Sequence, residues 1–251
     1  MAKRVVQPKN PKKQFLGVLV VIAVVGIAVI GYLLSGSAAK AITVDPTIPA
    51  GAAEGYLLGR EDAPVQAMEF GDFECGACGE FAVVTEPDIR ARLVNTGLVA
   101  FRFFDFPLEQ HRNTWAAHLA ASCAEDEKKF WGMHDRLYGG QHEWNGEVTN
   151  NPMRVFRRYA SELGLDVGKW EACVTAQTHA GRIKGNQAEG TRRNIGQTPT
   201  FIVGSRQVPG NMGYDDFKAL VDSALATAAA DSAKGGAKRA GVKKSASQEE
   251  P

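Results

Sequence analysis

The sequence predicts an α/β domain that carries a helical insertion and is preceded by one transmembrane helix. Three observations predict this. An uncharged run of twenty residues stands near the N-terminus, at Phe15–Leu34. Downstream, short apolar runs alternate with helix-compatible stretches in the order strand, helix, strand, large helical block, hairpin, helix. A Cys-x-x-Cys pair, Cys75 and Cys78, falls at the first strand–helix junction.

At a rise of about 1.5 Å per residue, Phe15–Leu34 reaches about 30 Å, the hydrocarbon thickness of a bilayer. It is apolar all round, unlike a core helix with one polar face. Lys3, Arg4, Lys9, Lys12 and Lys13 precede it. By the positive-inside bias, residues 1–14 are a cytoplasmic basic segment and everything after the single pass is extracytoplasmic, at the cell membrane. Ser37-Ala38-Ala39 leaves a cleaved signal peptide as the alternative, with the same destination for the domain. The run is longer than a usual signal core, which favours an anchor.

Residues 35–59, rich in Ser, Gly, Ala and Pro, read as a linker. Residues 226–251, without an aromatic, read as a disordered tail. The intervening 60–225 form the folded domain. With 29 Lys plus Arg against 28 Asp plus Glu there is no net field to attract nucleic acid, and none is expected as a partner.

Within the domain, Val65–Phe70 reads as a strand, followed by Gly71-Asp72 as a turn. A helix is expected from Cys75 towards Leu93, kinked or divided by Pro87. Leu98–Phe104 is apolar enough for a strand buried on both faces. A helical region spans about 110–194, with breaks at Gly139-Gly140, Asn150-Asn151-Pro152, Gly164 and Gly168, and core positions at Phe130, Trp131, Phe156 and Trp170. Thr200–Val203 and Gln207-Val208 form a hairpin around Gly204-Ser205, and Tyr214–Leu225 an amphipathic helix. This is the order of a thioredoxin-like core with a helical insertion.

The leader places the cysteines where disulfides persist. Cys75 is expected at a helix N-terminus, where unpaired N–H groups and the helix dipole favour a thiolate. Cys78, one turn later, can return to the first sulfur and resolve a mixed disulfide. A bare Cys-x-x-Cys also fits half a zinc site or a structural bridge, and none of the five histidines supplies an obvious second pair of ligands. Cys123 and Cys173, both in the helical block, are expected to form a structural disulfide, with two buried free thiols or a second redox pair passing electrons to the first as the alternatives. Closing a loop of that length is worth about 4 kcal/mol in the loop-entropy account.

Glu69-Phe70-Gly71-Asp72-Phe73-Glu74-Cys75-Gly76-Ala77-Cys78 resembles the active-site entry of the DsbA-like family of thioredoxin-fold disulfide oxidoreductases. Gly196-Gln197-Thr198-Pro199-Thr200-Phe201-Ile202-Val203 resembles that family's cis-proline strand. Ala120-Ala121-Ser122-Cys123-Ala124 and Lys129–Tyr138 look like its helical insertion. The resemblance covers about 60–225 and implies a thiol–disulfide oxidoreductase without cofactor or metal. It assigns Cys75 as nucleophile, Cys78 as resolving cysteine, Pro199 in a cis peptide, Thr198 presenting backbone to substrate, and Glu69 as a buried carboxylate exchanging protons with Cys78. It further implies exported thiol-containing proteins as substrates and a membrane quinone-linked thiol reoxidase as partner. The family's best-known members carry Pro-His between the cysteines. Here Gly76-Ala77 removes the histidine, which leaves open the direction of electron flow, oxidase against reductase or isomerase. A tethered metallochaperone is the reading from a different class.

Overall fold

A computed structural model describes residues 11–34 and 42–246, with side chains described at 15–27, 29 and 42–230. Residues 1–10, 35–41 and 247–251, and with them parts of the expected basic segment, linker and tail, lie outside the described residues. The chain divides into two units, residues 1–40 and 41–251.

In the first unit, Pro11–Leu34 forms a 24-residue helix (α1). Its large apolar side chains described between Phe15 and Val29 are exposed. Among the described residues, no helix is long and apolar enough to cross a membrane. The side chains described in α1 stop at Val29, short of the ~20 that a bilayer needs; the end of the expected span, 30–34, lies beyond them.

The second unit is built on a five-stranded sheet of order β1-β3-β2-β4-β5. Its strands are Tyr56–Leu58 (β1), Val65–Gly71 (β2), Val99–Asp105 (β3), Thr200–Val203 (β4) and Arg206–Pro209 (β5). β2 and β3 are parallel and the remaining pairs antiparallel. β2 is therefore central, between β3 and β4. Its alternation sends Val65, Ala67 and Glu69 to one face and Met68 and Phe70 to the other. Glu69 sits opposite Phe103 on one side and Phe201 on the other, a carboxylate set into an apolar strand row.

The β2–β3 connection is one helical run with an irregular pitch: Gly76–Glu80 (α2), a wide turn at Phe81–Thr85, Glu86–Ile89 (α3), and a second wide turn at Arg90–Val94. Pro87 stands where the run divides, as expected. It occupies the first turn of α3, just after a wide turn, where a missing N–H costs little. This run and Tyr214–Ala246 (α10) cover one face of the sheet through Phe81, Ile89, Leu93, Phe101, Phe201, Phe217 and Val221.

The helical block comprises Thr114–Ala124 (α4), Phe130–Gly139 (α5), Gln141–Trp144 (α6), Met153–Glu162 (α7), Val167–Ala176 (α8) and Ala180–Arg192 (α9). Phe130, Phe156 and Trp170 are buried as expected, and Trp131 is partly buried. α9 belongs to the sheet layer. At Gly190 a Cβ would stand 2.6 Å from the Phe106 ring and 2.9 Å from Phe70, so only glycine permits that approach. Gly168 does not break the chain. Asp166 caps α8 by accepting from the Lys169 N–H at 3.1 Å, an N-cap worth about 1 kcal/mol, and the break falls at Gln177 with φ 53°.

Two boundaries move. The expected linker contains β1 and is tied down before it: Gly51 N–H donates to Gly181 O at 2.7 Å and Gln177 Nε2 to Thr43 O at 2.9 Å. A three-residue edge strand is too short to show alternation and exists through its pairing with β3. At the other end, α10 continues through Ala246 into residues expected to be disordered, because an Ala- and Lys-rich stretch has high intrinsic helix propensity.

Cys123 and Cys173 form the expected disulfide, joining α4 to α8. Trp170 Nε1 donates to Ala120 O at 3.0 Å beside it. The two helices thus hold each other by packing as well as by the bridge. Replacing both cysteines with Ala should lower the melting temperature of the domain by roughly 10 °C or more. Thiol exchange at Cys75 should survive; its loss in a still-folded variant would contradict a purely structural bridge.

Candidate active site

Cys75 is the N-cap of α2, with extended backbone (φ −72°, ψ 122°), so the helix begins at its own carbonyl. The turn that places it there is organised by Asp72, whose side chain is fully buried. Oδ1 of Asp72 accepts from Glu74 N–H and Thr114 Oγ1, each at 2.7 Å; Oδ2 accepts from Leu108 N–H at 2.7 Å and His111 Nδ1 at 2.8 Å. With four donors the carboxyl is held below its usual range despite burial, and His111 is held above its own, first by that hydrogen bond. Gln141 Nε2 donates to the carbonyls of Phe73 (2.7 Å) and Cys75 (3.0 Å), fixing the turn from the insertion side. A Cβ at Gly79 would fall 2.4 Å from Gln141 Oε1, so Gly79 keeps room for that brace.

The two sulfurs are unlike. Cys75 is half-buried, and its pKa is lowered to about 5, chiefly by the Cys78 thiol donating to its thiolate, then by Thr198 and the N–H groups of Cys78 and Ala77, against the opposing effect of burial. Cys78 is fully buried, and burial first, then its bond to Cys75, pushes its thiol well above the ordinary value. Thr198–Pro199 is a cis peptide. The Thr198 carbonyl accepts from the Cys75 thiol at 3.4 Å, and the buried Thr198 hydroxyl has no hydrogen-bond partner among the described residues. Glu69 is fully buried with neither oxygen hydrogen-bonded, and desolvation, then Glu86, then Cys75 drive its pKa far up.

The family model described as thioredoxin matches residues 52–223. The chain belongs to the thioredoxin family. It is 31% identical over 186 residues to Na(+)/H(+) antiporter NhaA 3 of Salinispora tropica, covering 74% of this chain and 27% of that one. It thus spans about a quarter of the length of the antiporters that it matches. It is also 30% identical over 169 residues to the probable disulfide bond formation protein D of Bacillus cereus, covering 67% of this chain and 77% of the relative. Among solved structures, oxidised BdbD from Bacillus subtilis superposes with a TM-score of 0.61 at 25% identity, over 71% of this chain and 98% of that one.

The fold thus brings together Cys75, Cys78 and Glu69 with Thr198 and Pro199 from two separate stretches, and keeps the Cys123–Cys173 bridge in the insertion. Sequence reasoning missed Asp72, His111 and Gln141. Asp72 was read only as a turn residue and His111 only as the start of a helical region; their pairing across 39 positions leaves no local pattern. His111 and Gly76 line the same cleft of about 420 Å³ beside Cys75, together with Glu74, Arg112 and Glu147. A histidine therefore stands near the nucleophile after all, supplied by the start of the insertion and not by the dipeptide between the cysteines.

Cys75 should be alkylated before Cys78 in the reduced protein at neutral pH. Its folded pKa of about 5 lies below the ~8.5 of an unfolded cysteine. The stability contributed by this thiolate is therefore fully present above about pH 8.5 and is lost as pH falls through about 5. The oxidised protein has no thiolate, and Cys78, shifted the other way, acts only above that window. The stability of the reduced form relative to the oxidised form should rise between these limits in denaturant titrations. A difference that stays flat with pH would contradict the assignment of Cys75 as the thiolate.

Proposed function

We propose that this chain is a thiol–disulfide oxidoreductase that works outside the cytoplasm, forms disulfides in exported proteins through Cys75 and Cys78, and is tethered to the cell membrane by α1. The observation that carries the reading is the asymmetry of the two sulfurs: a half-buried Cys75 whose thiolate is stable near neutral pH, beside a buried, protonated Cys78.

In the forming direction, a client thiolate attacks Cys75 Sγ of the Cys75–Cys78 disulfide and Cys78 leaves, taking up a proton. A second client thiolate then attacks the client sulfur of the mixed disulfide. Cys75 departs as a thiolate, a good leaving group because its pKa is low. The client gains a disulfide and the enzyme holds the two electrons as a dithiol. A membrane quinone-linked thiol reoxidase then accepts them. The Thr198 carbonyl and the 420 Å³ cleft at Gly76 and His111 offer the client backbone a docking edge next to the reacting sulfur.

The disulfide bond formation proteins among the relatives support an oxidase over a reductase. The basic residues before Phe15 and the apolar surface of α1 support the tether. A reporter fused after Leu225 should be active only where export activates it; activity confined to a cytoplasmic reporter would overturn the location.

Cys78→Ala should accumulate client proteins as mixed disulfides on Cys75, since the resolving thiol is gone, and Cys75→Ala should trap few. The wild-type domain should also promote oxidative refolding of a reduced client more strongly than it reduces insulin. No adducts on Cys78→Ala, or insulin reduction without oxidative refolding, would refute the oxidase reading.

A further inference from the structure

Cys78 must exchange a proton each time the disulfide opens or closes, yet its side chain is fully buried. Glu69, the acceptor that the resemblance assigns, is fully buried too, so a proton delivered there is stranded unless a further group carries it on. The polar groups around it supply that group.

Nine buried side-chain polar atoms lack a hydrogen-bond partner among the described residues, and five of them belong to this one region: both Glu69 oxygens, Glu86 Oε2, His134 Nε2 and Tyr138 Oη. Such orphans are costly, and their gathering beside a reactive thiol calls for a functional reason. Glu86 reaches in from α3. Its Oε1 accepts from Arg90 Nε at 2.8 Å, while Oε2 faces His134 Nε2 at 3.7 Å. His134, on α5, is fully buried, and its Nδ1 donates to Asp135 Oδ1 at 2.9 Å. Nδ1 lies between Asp135 Oδ1 at 2.9 Å, which only accepts, and Arg90 Nη2 at 3.3 Å, which only donates; the shorter contact assigns the hydrogen to Nδ1 and leaves Nε2 as the acceptor facing Glu86. Asp135 is about half exposed and, with Arg90 and Tyr138, lines a surface cleft of about 400 Å³. Arg90 holds both ends, donating to Glu86 and to both Asp135 oxygens.

The charged and titratable groups facing this path are Glu69 from β2, Cys75 and Cys78 from the α2 turn, Glu86 and Arg90 from the same helical run, and His134, Asp135 and Tyr138 from α5. Glu69 and Glu86 are both fully buried with unpartnered oxygens, and Glu86 is the charged neighbour that most raises Glu69, ahead of Cys75.

We propose that Glu86 and His134 form a proton exit for the resolving cysteine, running from Cys78 through Glu69 to Asp135 and solvent. The inference rests on the oxidoreductase reading and deepens it. When Cys78 attacks Cys75 Sγ and expels the thiolate bonded there, the Cys78 proton passes to Glu69 and then to Glu86. His134 accepts at Nε2 as it releases Nδ1–H to Asp135, so its own proton count is unchanged, and the net change is one proton delivered to water. In the opposite direction the same groups return a proton to Cys78.

The test is stopped-flow reaction of the reduced full-length chain, in detergent, with the aromatic disulfide Ellman's reagent. The first coloured thiolate reports attack by Cys75; the second, independent of reagent concentration, reports attack by Cys78 on Cys75. Glu86→Gln and His134→Asn should leave the first phase unchanged, slow the second at least ~10-fold, alter its pH profile and respond to added imidazole, as expected when a general acid–base relay is removed. Glu86→Asp, which keeps the carboxyl, should restore most of the second phase even if its melting temperature is lower. A folded Glu86→Gln with wild-type second-phase rate and pH profile overturns the exit, as does a Glu86→Asp no faster than Glu86→Gln. Glu69→Gln separates the two layers. A slow second phase there beside a normal one in Glu86→Gln removes only the exit, whereas a first phase no faster than that of a free cysteine removes the oxidoreductase reading itself.

Discussion

One buried carboxylate organises the reactive end of this domain. Asp72 accepts from the backbone of its own turn, from the loop after β3, from the first residue of α4 and from His111. Four donors on two oxygens offset the cost of burying the charge, so it remains ionised where an unpaired carboxyl would not. Through that group the turn that makes Cys75 an N-cap is tied to the point where the insertion begins. Phe73, in the same turn, is fully buried and packs within 5.0 Å of the rings of Phe103, His118 and Tyr138. The turn is thus anchored by charge at one residue and by aromatic packing at the next.

That anchoring is what makes the two sulfurs differ. Both belong to the first turn of one helix, but Cys75 faces Thr198 and the cleft, whereas Cys78 points into the space between the sheet and α5. The first location supplies donors to a thiolate and the second withholds water from one, so their pKa values move in opposite directions. Loss of the histidine between the cysteines removes one contribution to the thiolate; the donors from Cys78, Thr198 and the helix N–H groups remain, and His111 stands in the adjoining cleft.

The insertion does more than extend the fold. It contributes Gln141 to the Cys75 turn, His134 and Asp135 to the far side of Glu69, and a disulfide that binds α4 to α8. A buried pair of carboxyls under the sheet helix is tolerable only because Arg90 neutralises one of them and α5 closes over both. Stability and chemistry share these groups, which is why proton transfer and melting temperature must be read separately in the variants.

The sequence by itself determined the parts that depend on neighbours along the chain. Alternation and apolar runs mark β2, β3 and the hairpin, the cysteine spacing marks the redox pair at a helix start, and the proline at position 199 follows from a motif carried in a few consecutive residues. Glu69 was found the same way, six positions before Cys75. What depends on pairing across the fold was decided only by tertiary structure. β1 is a strand because β3 offers it an edge. Gly168 stays helical because Asp166 caps it, and α10 runs on because Ala-rich sequence has high helix propensity. Asp72, His111, Gln141, Glu86 and His134 acquire roles through partners up to 68 positions away. Local patterns record which face of an element is buried; they hold no trace of which polar groups meet once those faces are packed, and it is there that proton affinities are set.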